Sequence, residues 1–267
     1  MPRISVIMGI YNCAPTLQEA LDSLYAQTCQ DFEIILCDDG SKDKTYELAL
    51  ENQKSHPNIV LLKNPHNMGL NQTLNNCLAV AKGEYIARMD GDDLCDSSRF
   101  EKQVNFLDEH PEYAIVSNPM IYFDEEGEFG RGQVREGEPG LDAFVRGTPF
   151  CHAPCMVRRE AYMAVGGYTV DKRLLRHEDY NLWTKMYAKG FRGYMTAEHL
   201  YMMRDDRNAT KRRNFRGRIN GIYARWIAYK TIHIPFFGFL KFAIMALIKG
   251  LMPTFIYEHF HRKKLGR

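Results

Sequence analysis

Acidic residues in this 267-residue chain fall in short clusters whose spacing suits work on a charged ligand. Asp90-Gly91-Asp92-Asp93 puts three carboxylates in four residues around one glycine. Like charges this close repel, and a plain turn needs one or two of them at most. Asp90 and Asp92 can face the same space from a tight loop, as hard oxygen ligands for Mg2+ or Mn2+. Such cations usually keep positions open for phosphate oxygens. A cation there would neutralise charge growing on a departing diphosphate, so the cluster points to nucleotide-linked substrates. Asp38-Asp39-Gly40-Ser41 is also sound turn chemistry, with Ser41 or Asp43 placed to cap the next helix, and both readings stand. Glu178-Asp179 opens a helical stretch. The pair either complements the helix dipole or supplies a general base, and periodicity alone favours the dipole.

These clusters need a frame, and the first half of the chain supplies one. Apolar runs over 4–8, 33–37, 59–63, 85–89 and 114–117 predict strands. Helical patterns over 15–28, 44–55, 70–81 and 98–109 separate them. This alternation predicts an α/β fold with a mostly parallel sheet between helices. Ligands of such sheets bind beyond the carboxyl ends of the strands. Tyr11-Asn12 follows the first strand, Asp38-Asp39 the second and Asp90-Gly91-Asp92-Asp93 the fourth, so they converge on one crevice. No Gly-x-x-x-x-Gly-Lys-Ser/Thr loop is present, and no Gly-x-Gly-x-x-Gly follows the first strand. Both absences argue against a P-loop NTPase and a dinucleotide dehydrogenase. Later, 124–140 reads as a hairpin or loop, 155–157 and 200–204 as strands, and 159–165 and 178–189 as helices.

The motifs in order resemble family 2 glycosyltransferases. They are Ser5-Val6-Ile7-Met8 with Tyr11-Asn12, Asp38-Asp39-Gly40-Ser41, Asn67-x-Gly69, Gly83-Glu84-Tyr85-Ile86 with Asp90-Gly91-Asp92-Asp93, and Glu178-Asp179-Tyr180 with Leu182-Trp183. The resemblance covers roughly residues 3–205. Met8-Gly9-Ile10-Tyr11-Asn12-Cys13, Arg88-Met89-Asp90-Gly91-Asp92-Asp93-Leu94, Gly147-Thr148-Pro149-Phe150-Cys151-His152 and Gly190-Phe191-Arg192-Gly193-Tyr194 look like the EpsE-type glycosyltransferases of bacterial exopolysaccharide operons. The resemblance implies an inverting enzyme of Rossmann-like GT-A fold that transfers a sugar, usually from a UDP-linked donor. Tyr11 would pack on the base, Asp39 would accept from it, and Asn67 would lie near the nucleoside. Asp90 would contact ribose or metal, and Asp92 would be the main ligand of a divalent cation. Asp179 would be the catalytic base, with Glu178 positioning acceptor or base. The family often has Arg-x-His after its last core strand. Here Arg204-Asp205-Asp206 stands there, so Arg204 remains a nucleotide-side candidate and Asp206 replaces the His. Either Arg207 or Lys211-Arg212-Arg213 then grips the phosphates, or Asp206 joins the metal shell. His152 and Trp183 are further candidates for acceptor contacts. Each also has a plain reading, His152 as a satisfied loop histidine and Trp183 as core.

The net charge of +2 conceals a division. From Arg204 onward there are 15 Lys and Arg against 3 Asp and Glu; the preceding residues hold 20 against 30. Apolar blocks over 234–240 and 242–248 are broken by Lys241 and Lys249. No uncharged run reaches the roughly 18 residues of a spanning helix. The pattern predicts an interfacial amphipathic helix, with the lysines on one side and Phe, Ile, Leu and Met on the other. A helix pair packed on the catalytic domain or in a dimer is the alternative. The expected organisation is a catalytic domain over 1–207, with a nucleotide-binding half to about 118 and an acceptor half to 207. A basic amphipathic helical tail follows over 208–267. Seven scattered cysteines form no disulfide pattern, Cys151-His152-x-x-Cys155 lacks the second pair of a zinc site, and no signal peptide is visible, which suggests a reducing cytosol. The expected setting is the inner face of the cell membrane. The partners are a nucleotide-sugar donor, a lipid-linked saccharide acceptor, anionic lipid rather than nucleic acid, and other polysaccharide-assembly proteins. The competing reading is a non-catalytic, membrane-recruited interaction protein on the same scaffold.

Overall fold

The computed structural model describes residues 1–204 and 215–251. Its centre is a seven-stranded sheet. Strands β1 (Ile4–Ile10), β2 (Phe32–Asp38), β3 (Ile59–Lys63) and β4 (Tyr85–Arg88) alternate with helices α1 (Leu17–Tyr25), α2 (Thr45–Ser55) and α3 (Leu70–Val80). A short strand β5 (Leu94–Cys95) and helix α4 (Arg99–Glu109) lead to β6 (Ile115–Ser117), the hairpin β7 (Met120–Asp124) and β8 (Gly127–Arg131), and helix α5 (Leu141–Arg146). Then come β9 (Met156–Arg158), α6 (Arg159–Val165), a 3-10 turn at Lys172–Leu174, α7 (Glu178–Ala188), β10 (Gly193–Met195) and β11 (Tyr201–Arg204). The large sheet runs β10-β6-β9-β4-β1-β2-β3, and β9 alone is antiparallel to its neighbours.

Residues of the central strands alternate between two cores, as the pleat requires. Val6, Met8, Ile34 and Leu36 meet Leu21 and Leu24 of α1 and Phe100 and Leu107 of α4 on one face. Ile7, Ile35 and Cys37 meet Leu74 of α3, Tyr162 of α6 and Trp183 of α7 on the other. Burial on both faces explains why these strands read as unbroken apolar runs. A second sheet, β5-β11-β7-β8, is built from short strands distant in sequence. It pins both the chain leaving the Asp90–Asp93 loop and the chain reaching Arg204. All seven cysteines are free.

The described part of the tail packs on the catalytic domain. Helix α8 (Phe215–Ile232) adds Ala224, Ala228 and Ile232 to the α7 core, and α9 (Phe236–Leu251) adds Phe239. Phe239 lies near the rings of Trp226 and Tyr229, and the Arg225 guanidinium sits 3.6 Å over the Phe242 ring, so α9 runs back antiparallel along α8. The expected lysine face of this helix is corrected. Phe239 and Ala246 are buried, while Lys241 lies in an exposed row with Phe237, Ile244 and Ile248. The apolar residues exceed what α8 and α5 can cover, so an apolar face stays outward around the lysine. Among the described residues no helix is long and apolar enough to cross a membrane.

Candidate active site

The site forms where β1, β2 and β4 end and α7 begins. Two loop glycines bring its edges together. Gly40 has φ +73°, and a Cβ there would lie 2.8 Å from the His66 carbonyl carbon and 2.9 Å from the Asn67 nitrogen. The turn after β2 therefore presses on the loop carrying Asn67, an approach only glycine permits. At Gly91 a Cβ would come within 2.8 Å of Cys13 Sγ, so the acidic loop lies tight on the end of β1.

Tyr11 is 43% exposed at the rim, with its ring available for stacking. Asn12 adopts a left-handed φ of 50°, accepting from Lys42 N–H at 2.8 Å and donating its own N–H to Ser41 Oγ at 3.0 Å. Asp39 is buried. Its carboxylate accepts from the N–H groups of Met68 (2.7 Å) and Gly69 (2.9 Å) and from Asn64 Nδ2 (2.8 Å). Asp39 thus braces the loop on which Asn67 is exposed. Neither proposed residue caps α2: the N-cap is Lys44, without a side-chain bond, and Asp43 one residue earlier accepts from Thr45 N–H at 3.0 Å.

In the acidic loop the three carboxylates have different tasks. Asp93 is buried, accepting from Tyr201 Oη at 2.8 Å and Arg204 N–H at 2.8 Å. Burial, then Asp90 and Asp92, push its pKa up to about 8. It ties the loop to β11. Asp92 faces outward, and desolvation followed by the Asp90 charge raises its carboxyl. Asp90 accepts from Arg88 Nη2 at 2.6 Å. Asp90 and Asp92 are hard oxygen donors suited to Mg2+ or Mn2+, with most of an octahedral shell left for phosphate and water. Among the described residues no group of three His, Cys, Asp or Glu is arranged as a metal site. Arg204 donates Nε to the Asp92 carbonyl at 3.0 Å and Nη2 to Glu19 at 2.6 Å, bracing the loop from outside.

Across the crevice, Glu178 and Asp179 occupy the first turn of α7. Burial raises both carboxyls. Glu178 is raised further by Asp179, whereas the Tyr180 N–H, the Thr148 hydroxyl and Arg88 pull Asp179 back. Oε2 of Glu178 is buried without a hydrogen-bond partner. Arg88 was assigned no role from the sequence. Burial opposes its charge, but Asp90, Tyr168, Tyr201 and Asp93 outweigh that and raise its pKa. It acts on Asp90 and also on Glu178 and Asp179, so one buried guanidinium serves both carboxylate groups. The available signal was a cation ending the buried strand Tyr85-Ile86-Ala87, two residues before Asp90.

His152 meets the Tyr168 hydroxyl at 2.8 Å, and Tyr168 meets Tyr162 at 3.1 Å. Burial, aided by Arg88, drives the His152 pKa well down, so the ring is neutral. Trp183 is corrected as a contact residue. It is fully buried, edge-on to Phe150 and His152, because it fills the core behind the site. Asp206, Arg207 and Lys211 lie outside the described residues.

The glycosyl transferase family 2 profile matches residues 5–166. EpsE of Bacillus subtilis (strain 168), named as a glycosyltransferase, is 41% identical over 266 residues, covering 99% of this chain and 95% of that protein. The Escherichia coli UDP-Gal:alpha-D-GlcNAc-diphosphoundecaprenol beta-1,3-galactosyltransferase is 28% identical, covering 100% and 98%. Among solved structures, the mannosyltransferase PcManGT of Pyrobaculum calidifontis, in complex with GDP-Man and Mn2+, aligns with a TM-score of 0.67 at 21% identity. The alignment covers 93% of this chain and 74% of that one. This likeness identifies the fold as GT-A.

Proposed function

Because the chain belongs to glycosyl transferase family 2 and is a glycosyltransferase, we propose that it inverts an anomeric centre while moving a sugar from a UDP-linked donor to a lipid-linked saccharide. The setting is bacterial exopolysaccharide assembly at the inner face of the cell membrane. The observation that carries this reading is the half-buried Asp179 carboxylate at the start of α7, in the field of the same Arg88 that pairs with Asp90. In the proposed reaction, Asp179 takes the proton of an acceptor hydroxyl as that oxygen bonds to the anomeric carbon. The bond from that carbon to the diphosphate oxygen breaks on the opposite face, and a nucleoside diphosphate departs. Asp90 and Asp92 would hold Mg2+ or Mn2+, whose chemistry is to neutralise the charge of that leaving group. Tyr11 stacks on the base, the loop braced by Asp39 presents Asn67 to the nucleoside, and Glu178 orients the acceptor. The nucleotide half extends to about residue 118, and the acceptor half to 207.

Membrane association is supported by the exposed apolar row of α9 and the cationic excess beyond Arg204. A relative whose name specifies a diphosphoundecaprenol acceptor supports the acceptor class. The test is donor turnover over a panel of nucleotide sugars with Mn2+. Asp179→Asn is expected to lower transfer by roughly 10²–10⁴-fold while nucleotide binding persists. Asp92→Ala is expected to remove the metal dependence of nucleotide binding. An unaltered transfer rate in Asp179→Asn sinks the assignment of the base.

A further inference from the structure

The segment before the base and the start of α8 form one surface. His177 Nε2 lies 3.1 Å from the Gly217 carbonyl oxygen, and Asn220 Nδ2 lies 3.4 Å from that of Leu175. The Arg173 guanidinium sits 4.4 Å over the Tyr223 ring. These contacts set Lys172 and Arg173 beside Arg216, a few residues from Glu178 and Asp179. Asp171, paired with Arg173 at 2.7 Å, is the one acidic side chain within these two segments. Apolar side chains are interleaved with the cations. Leu175 is 65% exposed, and Phe215 and Ile219 are exposed as well. Since α9 runs antiparallel to α8, the Ile244–Ile248 end of its apolar row lies toward this end of α8.

Cations alone would fit any polyanion, and apolar groups alone would fit any lipid. Their mixture fits a diphosphate carrying an apolar chain, whose anionic head takes charge-assisted hydrogen bonds while its chain covers Leu175, Phe215 and Ile219. We propose that this collar binds the diphosphate and the adjoining isoprenoid units of the lipid-linked acceptor, and so presents its sugar to Asp179. The inference rests on the reading of the acceptor as lipid-linked. It explains how a site beside a membrane selects its substrate from bulk anionic lipid. A diphosphate offers more charge at one point than a phosphodiester headgroup.

The probe is farnesyl diphosphate, titrated into the full chain by a direct binding measurement. This readout does not depend on turnover, so failure of the transferase reading appears separately as absence of donor turnover in the wild-type chain. The variant is Lys172→Gln with Arg216→Gln, both exposed positions. Its affinity for farnesyl diphosphate is expected to fall on the order of a hundredfold, about tenfold for each lost charge-assisted contact. Wild-type binding should weaken with added salt, and farnesol should bind far more weakly. Lys172→Glu with Arg216→Glu should weaken binding further, with a thermal midpoint matching wild type to show that the fold is intact. Three results would overturn the proposal. One is no binding of farnesyl diphosphate to the wild type. Another is equal binding by wild type and variant, or of farnesol and its diphosphate. The third is an equal loss of binding to phosphatidylcholine vesicles containing phosphatidylglycerol, which would give the cations to the membrane headgroup.

Discussion

Arg88 and Thr148 show how much of the site's electrostatics is set by groups to which the motifs containing them assigned no role. Arg88 holds Asp90 in a 2.6 Å ion pair and lends its field to Glu178 and Asp179. Arg88→Met takes the ion-pair partner from Asp90 and the nearby positive charge from Glu178 and Asp179. Because Asp90 is partly exposed, the loss should fall on ligand binding more than on folding. Nucleotide affinity should weaken by about 1–3 kcal/mol, read by titration with and without Mn2+. Arg88→Lys should recover part of the loss. The Thr148 hydroxyl donates to the Phe150 carbonyl at 3.1 Å and, as a polar neighbour of Asp179, favours its charged form against the burial that raises its pKa. As the proposed base, Asp179 must be unprotonated, so the rate should fall as pH drops through its raised pKa. Thr148→Val removes that polar neighbour of the anion, so the acid limb of the rate profile should move to higher pH. A limb that stays in place, or moves down, removes Asp179 from that limb. Neither residue is legible in a single sequence. Arg88 reads as the end of a strand and Thr148 as loop, and their tasks depend on partners 91 and 31 positions away.

Between elements, the site depends on loops that press on each other. Gly40 is the clearest case, since a side chain there meets backbone atoms rather than a movable side-chain end. Gly40→Ala would also force a left-handed backbone on a residue that resists it. It is expected to cost about 1–3 kcal/mol in urea unfolding and to weaken nucleotide binding by shifting the Asn67 loop. Alternation of apolar runs and helical spacing made the β1-to-β4 half legible, because buried parallel strands are apolar on both faces. Of the second sheet, β11 was legible as the strand expected over 200–204, and the rest was not. Its strand β5 has two residues, β8 is mostly exposed, and β11 pairs with partners from two distant stretches. Short strands held by remote pairing carry little local pattern. Likewise α8 turns Asn220, Gly221 and Arg225 inward beside Ala224, Ala228 and Ile232, so polar residues interrupt the pattern of its buried face. The crevice was legible because acids after strand ends have few other places to go. His152 and Trp183 were ambiguous because loop and core positions can look alike in sequence.

At the scale of the whole molecule, the sum of +2 separates into an acidic catalytic part and a basic tail. The structure adds that the first tail helices are part of the catalytic body. Ala224, Ala228 and Phe239 share a core with Trp183, one turn along α7 from Asp179. A surface that binds through α9 therefore holds the active site in a fixed orientation, with no flexible link through the described helices α8 and α9. The row Phe237, Ile244 and Ile248 is exposed among the described residues, and Lys241 within it can extend its ammonium to an anionic headgroup while its stem stays among apolar neighbours. On the proposed membrane reading, Ile244→Glu with Ile248→Glu should abolish co-sedimentation with vesicles containing phosphatidylglycerol. Each replacement loses apolar burial worth on the order of 1 kcal/mol and adds repulsion from the anionic surface. Both side chains are half exposed, so the thermal midpoint should hardly move, and nucleotide binding in solution should persist. Transfer to an acceptor embedded in vesicles should fall far more than transfer to the same acceptor in detergent. If the variant still sediments with anionic vesicles, the exposed row serves a protein partner instead, and the orientation of the site toward the membrane must be set elsewhere.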